Sequence, residues 1–185
     1  MSELNTIALS HEFLSRFAKE GSVCIDATAG RGYDTEFLCS KVGETGKVYA
    51  FDIQKEAIES TEKRLSEKGY KNAEVILASH SDMDEYVKEE VDCIVFNLGW
   101  LPKGDHNIHT ESGSSIKAIE KGLSLLKNGG GMNIAIYYGR ETGFEEKDSV
   151  LEYLKTIDSL KYTVLVTEFS NRTNCYPISV FIMKD

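Results

Sequence analysis

The chain is poor in several things, and each scarcity narrows what it can be. It has 2 prolines in 185 residues and no low-complexity tract. Nothing reads as a linker, so residues 1–185 are expected to form one domain. Its four cysteines, Cys24, Cys39, Cys93 and Cys175, include no pair at C-x-x-C spacing, which argues against a structural zinc site. Cys24 and Cys93 lie in apolar runs and read as small core residues. Free buried thiols suit a reducing compartment, so a cytoplasmic location is expected. No apolar run approaches the ~20 residues that cross a bilayer, so no membrane partner is expected. The N-terminus lacks a basic stretch followed by an apolar one, and no signal peptide is read there. Positive charge is scarce too: 21 Lys and Arg stand against 30 Asp and Glu, a net charge of −9. Lys and Arg drive phosphate binding, so a nucleic-acid partner would need a local basic patch on an acidic molecule.

What is present is organised around Val23 to Asp34, V-C-I-D-A-T-A-G-R-G-Y-D. A short apolar run ends in Asp26, Gly30 and Gly32 flank one residue, and a helical pattern starts at Tyr33. This reads as strand, tight turn, helix, and glycine lets such a turn approach a ligand closely. The next strand-like run ends in Asp52, 20 residues beyond Gly32, where nucleotide-binding α/β folds carry a ribose-binding acid. An ordinary strand-to-helix turn also carries glycines. The acid-ended strand on both sides of the helix is what makes this one specific.

Along the rest of the chain, helical and strand-like patterns alternate. Thr6 to Lys19 reads as a helix, with His11 on its surface. Strands are expected at Val23 to Ile25, Lys47 to Asp52, Ala73 to Ala78, Val91 to Phe96, Met132 to Tyr138, Lys161 to Glu168 and Ile178 to Met183. Helices are expected at Tyr33 to Lys41, from Gln54 to Gly69, at Asp82 to Lys88, at Ser114 to Leu126 closed by Asn128-Gly129-Gly130-Gly131, and at Glu145 to Ile157. The alternation predicts a mostly parallel sheet with helices on both faces. The last two strands have no helix between them and should pair antiparallel. Ligands of such sheets sit beyond the strands' carboxyl ends, where Asp26, Asp52, Ser79, Asn97 and Tyr138 all fall. The aperiodic stretch from Asn97 to Ser112 is long for a loop and reads as functional. Its Asp105, His106 and His109 read as solvated side chains, and no metal is expected.

The segments D-A-T-A-G-R-G, F-D-I-Q, A-S-H and N-L-G-W-L-P-K-G-D resemble the motifs of class I S-adenosylmethionine-dependent methyltransferases. They are most similar to the small bacterial family labelled rRNA methylases, whose members are associated with methylating the aminomethyl group of a wobble uridine in tRNA. The resemblance covers nearly the whole chain, including I-Y-Y-G-R-E-T-G-F-E-E-K and F-S-N-R-T-N-C-Y-P. It implies a Rossmann-like, seven-stranded sheet with an antiparallel last strand, S-adenosylmethionine as cofactor, an RNA substrate and a homodimer. In its terms Asp26, Gly30, Arg31, Gly32, Tyr33, Asp52, Gln54, Ser79 and His80 are cofactor-binding candidates. Asn97 and Tyr138 are catalytic candidates, and Trp100, Lys103, Arg140 and Arg172 are substrate-binding ones. Arg31 and Tyr33 depart from the Asn, and the Asn or His, usual in the family. Arg31 has no acceptor but can pair with a carboxylate. Methylation of rRNA or of a small amine, and a nicotinamide-dependent oxidoreductase, are the alternatives. The last is disfavoured because Thr35 stands where a dinucleotide turn needs a third glycine.

Overall fold

The computed structural model describes residues 4–99, 112–139 and 141–185. Seven strands form one sheet: β1 (Val23–Asp26), β2 (Lys47–Asp52), β3 (Ala73–Leu77), β4 (Val91–Leu98), β5 (Leu126–Ile136), β6 (Tyr162–Thr167) and β7 (Ile178–Lys184). Their spatial order is β3-β2-β1-β4-β5-β7-β6. Strand β7 pairs antiparallel with both β5 and β6, and every other pairing is parallel. The expected architecture is therefore the observed one. Strand order reverses at β1, because the chain runs outward from β1 to β3 and then returns to place β4 on β1's other side. That reversal opens a crevice at the carboxyl ends of β1 and β4.

Among the described residues six helices cover the sheet: α1 (Thr6–Leu14), α2 (Tyr33–Val42), α3 (Lys55–Lys68), α4 (Met83–Tyr86), α5 (Ser112–Leu125) and α6 (Glu141–Leu154). The strands' period of two divides their apolar residues between two cores. Cys24, Cys93 and Val95 pack with Phe13 and Leu14 of α1, Leu38 of α2 and Leu65 of α3. Ile25, Ile94, Phe96, Met132 and Ile134 pack on the opposite face with Ile119 of α5 and Val150 of α6. Among the described residues no helix is long and apolar enough to cross a membrane.

Several boundaries differ from expectation, among them β4, which runs on to Leu98, and α6, which spans Glu141–Leu154; three of the differences bear on packing. Helix α1 ends at Leu14 rather than Lys19, because Arg16 and Phe17 donate to the carbonyls three residues back and tighten the chain out of the helix. Strand β5 begins at Leu126, so Asn128 to Gly131 lie inside it, at a register irregularity between Val91 and Cys93 of β4. A Cβ at Gly131 would enter the ring of Phe17, so the glycine lets the strand pass under that aromatic. The expected helix at Asp82 to Lys88 is a 3-10 turn (His80–Asp82) followed by the short α4.

Candidate active site

The turn after β1 is built on two carboxylates. Asp26 is fully buried. Its Oδ2 accepts from the Thr35 hydroxyl at 2.6 Å and its Oδ1 from the Thr28 N–H at 3.1 Å. Burial, and then the negative charge of Asp34, push its carboxyl up to about 7. A carboxyl with no exposed surface does not meet a ligand's ammonium directly, so its contribution is to the shape of the turn. Thr35, which replaces the dinucleotide glycine, is the side chain that holds it.

Asp52 closes the other side. Its Oδ2 accepts from the Gly30 N–H and its Oδ1 from the Gln54 N–H, both at 2.9 Å. Gly30 and Gly32 have φ of 53° and 75°, left-handed values that cost glycine little. Each carboxylate oxygen keeps a further lone pair, which suits the two hydroxyls of a ribose. Beside Asp52 the side chains of Ile53 and Leu77 are each 55% exposed, an apolar flank of the kind a flat base covers. His80 follows β3. Its Nδ1–H donates to the Ala27 carbonyl at 3.2 Å, and its Nε2 is buried with no hydrogen-bond partner among the described residues. Burial lowers its basicity, so Nε2 is an acceptor. Ser79 caps the 3-10 turn, accepting from the Ser81 N–H. Paired acceptors, an apolar flank and an open glycine turn together fit an adenosine-containing cofactor.

Arg31 and Tyr33 lie on the exposed rim. Tyr33 is 61% exposed, and the Arg64 guanidinium stacks 3.7 Å from its ring centre. Arg64 also donates to the Arg31 carbonyl at 2.7 Å and pairs with Glu36 at 2.8 Å. These contacts brace the outer wall of the turn.

Asn97 lies within β4, its N–H donating to the Thr28 hydroxyl at 2.7 Å. Its side-chain amide donates to Asp34 Oδ2 at 2.8 Å. The other oxygen of Asp34 lies 2.7 Å from His11 Nε2, and the His11 ring is stacked on Phe37, with centroids 3.7 Å apart. Asp34 and His11 thus join the site, and sequence reading had placed His11 on a helix surface. Tyr138 packs edge-on against Phe144, with the Lys147 ammonium 5.3 Å from its ring centre. Burial, and then the charges of Asp34 and Tyr176, make the Tyr137 hydroxyl less acidic. The strand period could have told them apart: Met132, Ile134 and Ile136 share a face with Tyr138.

Arg172 sits between Phe169 and Tyr176, about 5 Å from each ring centre (5.1 and 5.0 Å), and donates to the Leu4 carbonyl. Trp100, Lys103 and Arg140, and the Asp105, His106 and His109 group, lie outside the described residues. Among the described residues no group of three His, Cys, Asp or Glu side chains could hold a metal.

The family described as "Putative rRNA methylase" matches residues 48–183. The chain belongs to that family. The methylase is a class I S-adenosylmethionine-dependent methyltransferase, which sets aside the nicotinamide alternative. It is 34% identical over 187 residues to the chloroplastic tRNA (mnm(5)s(2)U34)-methyltransferase of Arabidopsis thaliana, a match covering 95% of this chain and 68% of the plant protein. It superposes on a putative rRNA-methylase from Clostridium thermocellum with a TM-score of 0.97, 45% identity and full coverage of both chains (100% and 100%). A putative methyltransferase from Streptococcus mutans, solved in complex with SAH, gives a TM-score of 0.90 at 38% identity, with 99% of each chain covered. A protein-L-isoaspartate(D-aspartate) O-methyltransferase family also matches, over residues 1–88 alone.

Proposed function

We propose that the methylase methylates an RNA amine, the aminomethyl nitrogen of a tRNA wobble uridine, giving methylaminomethyl-(2-thio)uridine. The orientation of the Asn97 amide carries this reading. Its NH2 is taken by the Asp34 carboxylate, which leaves the amide oxygen as the end available to a substrate. An amine must direct its lone pair at the methyl group while its own hydrogens find acceptors, and a fixed amide oxygen is such an acceptor. The activity of the plant relative supports the choice of amine.

Bound S-adenosylmethionine supplies an electrophilic methyl on a sulfonium. Asp52 holds the ribose hydroxyls with the lone pairs left over from Gly30 and Gln54. Ile53 and Leu77 flank the base, with His80 and Ser79 at the same strand end. The N–H groups and open backbone of the glycine turn receive the amino-acid end. Asn97 then fixes the amine in an attacking geometry, and holding reactants so placed supplies much of the rate.

Asn97→Ala should leave cofactor affinity nearly intact and depress turnover, since the lost contact is with the amine. Purified protein with labelled S-adenosylmethionine and bulk tRNA from a strain lacking it should yield labelled methylaminomethyl-uridine by nucleoside mass spectrometry. Label confined to ribosomal RNA, or to a free small amine, would overturn the proposal.

A further inference from the structure

Asp34 stands where α1, α2 and β4 converge, and both of its oxygens are engaged. Helix α1 contributes His11 at 2.7 Å and β4 contributes Asn97 at 2.8 Å. The His11 ring lies nearly parallel to Phe37, at an interplanar angle of 5°, so stacking sets its plane and aims Nε2 at the carboxylate. We propose that His11 is a positioning residue for methyl transfer: through Asp34 it locks the Asn97 amide with its oxygen toward the substrate amine. The proposal rests on the reading of Asn97 given above.

An amide has two flips that exchange its oxygen and its NH2. Only an ionised Asp34 enforces one of them, because a carboxylate accepts and cannot donate. A protonated Asp34 could donate to the amide oxygen and favour the opposite flip, turning an N–H toward the amine. The groups around Asp34 are of mixed character. From β1, the carboxyl of Asp26 lies close enough for the two charges to repel. Beyond β5, Tyr137 lies near enough for the charge of Asp34 to make its hydroxyl less acidic, and Tyr176 acts on Tyr137 in turn. Neither tyrosine is a cation. Among these groups His11 alone can bring positive charge, and its Nε2–H donates whether the ring is neutral in that tautomer or protonated.

The bland alternative is that His11 merely ties α1 to α2. Phe13 and Leu14 already anchor α1 in the core, and the side chains of the pair are 28% and 17% exposed, so the tie adds little to stability.

The test pairs His11→Ala with His11→Gln, whose amide N–H can replace the lost donor. For His11→Ala, cofactor affinity by calorimetry should stay close to the parent's. The kcat on tRNA should fall about tenfold with KM little changed. His11→Gln should recover most of the neutral-pH rate. A second readout needs no turnover. In 15N NMR of the cofactor-free protein, the Asn97 side-chain amide should give one stable pair of signals in the parent. In His11→Ala that pair should shift or broaden. Parent-like kcat and Asn97 signals in His11→Ala would overturn the inference. If the parent itself fails to methylate tRNA, the reading of the substrate is what falls, and the Asn97 signals alone then decide the lock.

Discussion

Two aspartates that look alike in the sequence do different work. Asp52 is half-buried, with both oxygens anchored to backbone N–H groups and room for two more donors. Asp52→Ala should weaken S-adenosylmethionine binding by about 2 kcal/mol or more, the loss of a charge-assisted pair of hydrogen bonds. Calorimetric titration of a folded variant checks this, and affinity equal to the parent's would remove Asp52 from the site. Asp26 bears on stability. Its carboxyl is raised from 3.8 to about 7 in the folded chain, so the folded state holds a proton that the unfolded state releases between those values. Its contribution is therefore full below about pH 4 and is lost as pH rises through 7. Asp26→Asn, which keeps an acceptor for Thr35, should flatten the decline of melting temperature between about pH 4 and 7. An unchanged slope would mean that Asp26 is ionised throughout.

At the scale of elements, the strands were the most legible part of the chain. Most are apolar runs ended by a polar residue or a glycine, and the acids that close β1 and β2 mark the crevice. Helix α1 was overextended because Phe17 and Ala18 continue its apolar spacing. Three-residue hydrogen bonds turn the chain there instead, and spacing cannot register that. The glycines at 129–131 look like a helix stop, and one of them is needed by the strand that begins first. Asp34 was invisible for another reason: its partners lie 23 residues before it and 63 after it, on separate elements. The junction of β4 and β5 supplies an element-scale prediction. Gly99 has φ of 117°, and a Cβ there would strike the Tyr137 carbonyl oxygen. Gly99→Ala should cost about 2 kcal/mol or more in denaturant unfolding. It should also impair turnover, since it spreads the strand ends that carry Asn97 and Tyr137. A variant as stable as the parent would show that the junction yields easily.

For the molecule as a whole, the tension lies between a net charge of −9 and an RNA substrate. If tRNA binds, log affinity should fall linearly with log salt, and replacing Lys103 or Arg140 should make the slope shallower by about one unit. A slope near zero, with full activity on a free aminomethyl-uridine nucleoside, would exclude recognition of the RNA backbone. The sheet order sorts the work by side. Strands β1 to β3 carry the glycine turn, Asp52 and His80, while β4 and β5 carry Asn97 and Tyr137, and in the sheet the two sets touch only along the β1–β4 seam. A lineage can therefore rewrite its acceptor on one flank while inheriting its methyl donor on the other. His11 and Asp34 reach across the seam, as Thr28 does to the Asn97 N–H, so grafting a foreign acceptor half onto this donor half would have to carry them, or their equivalents, along.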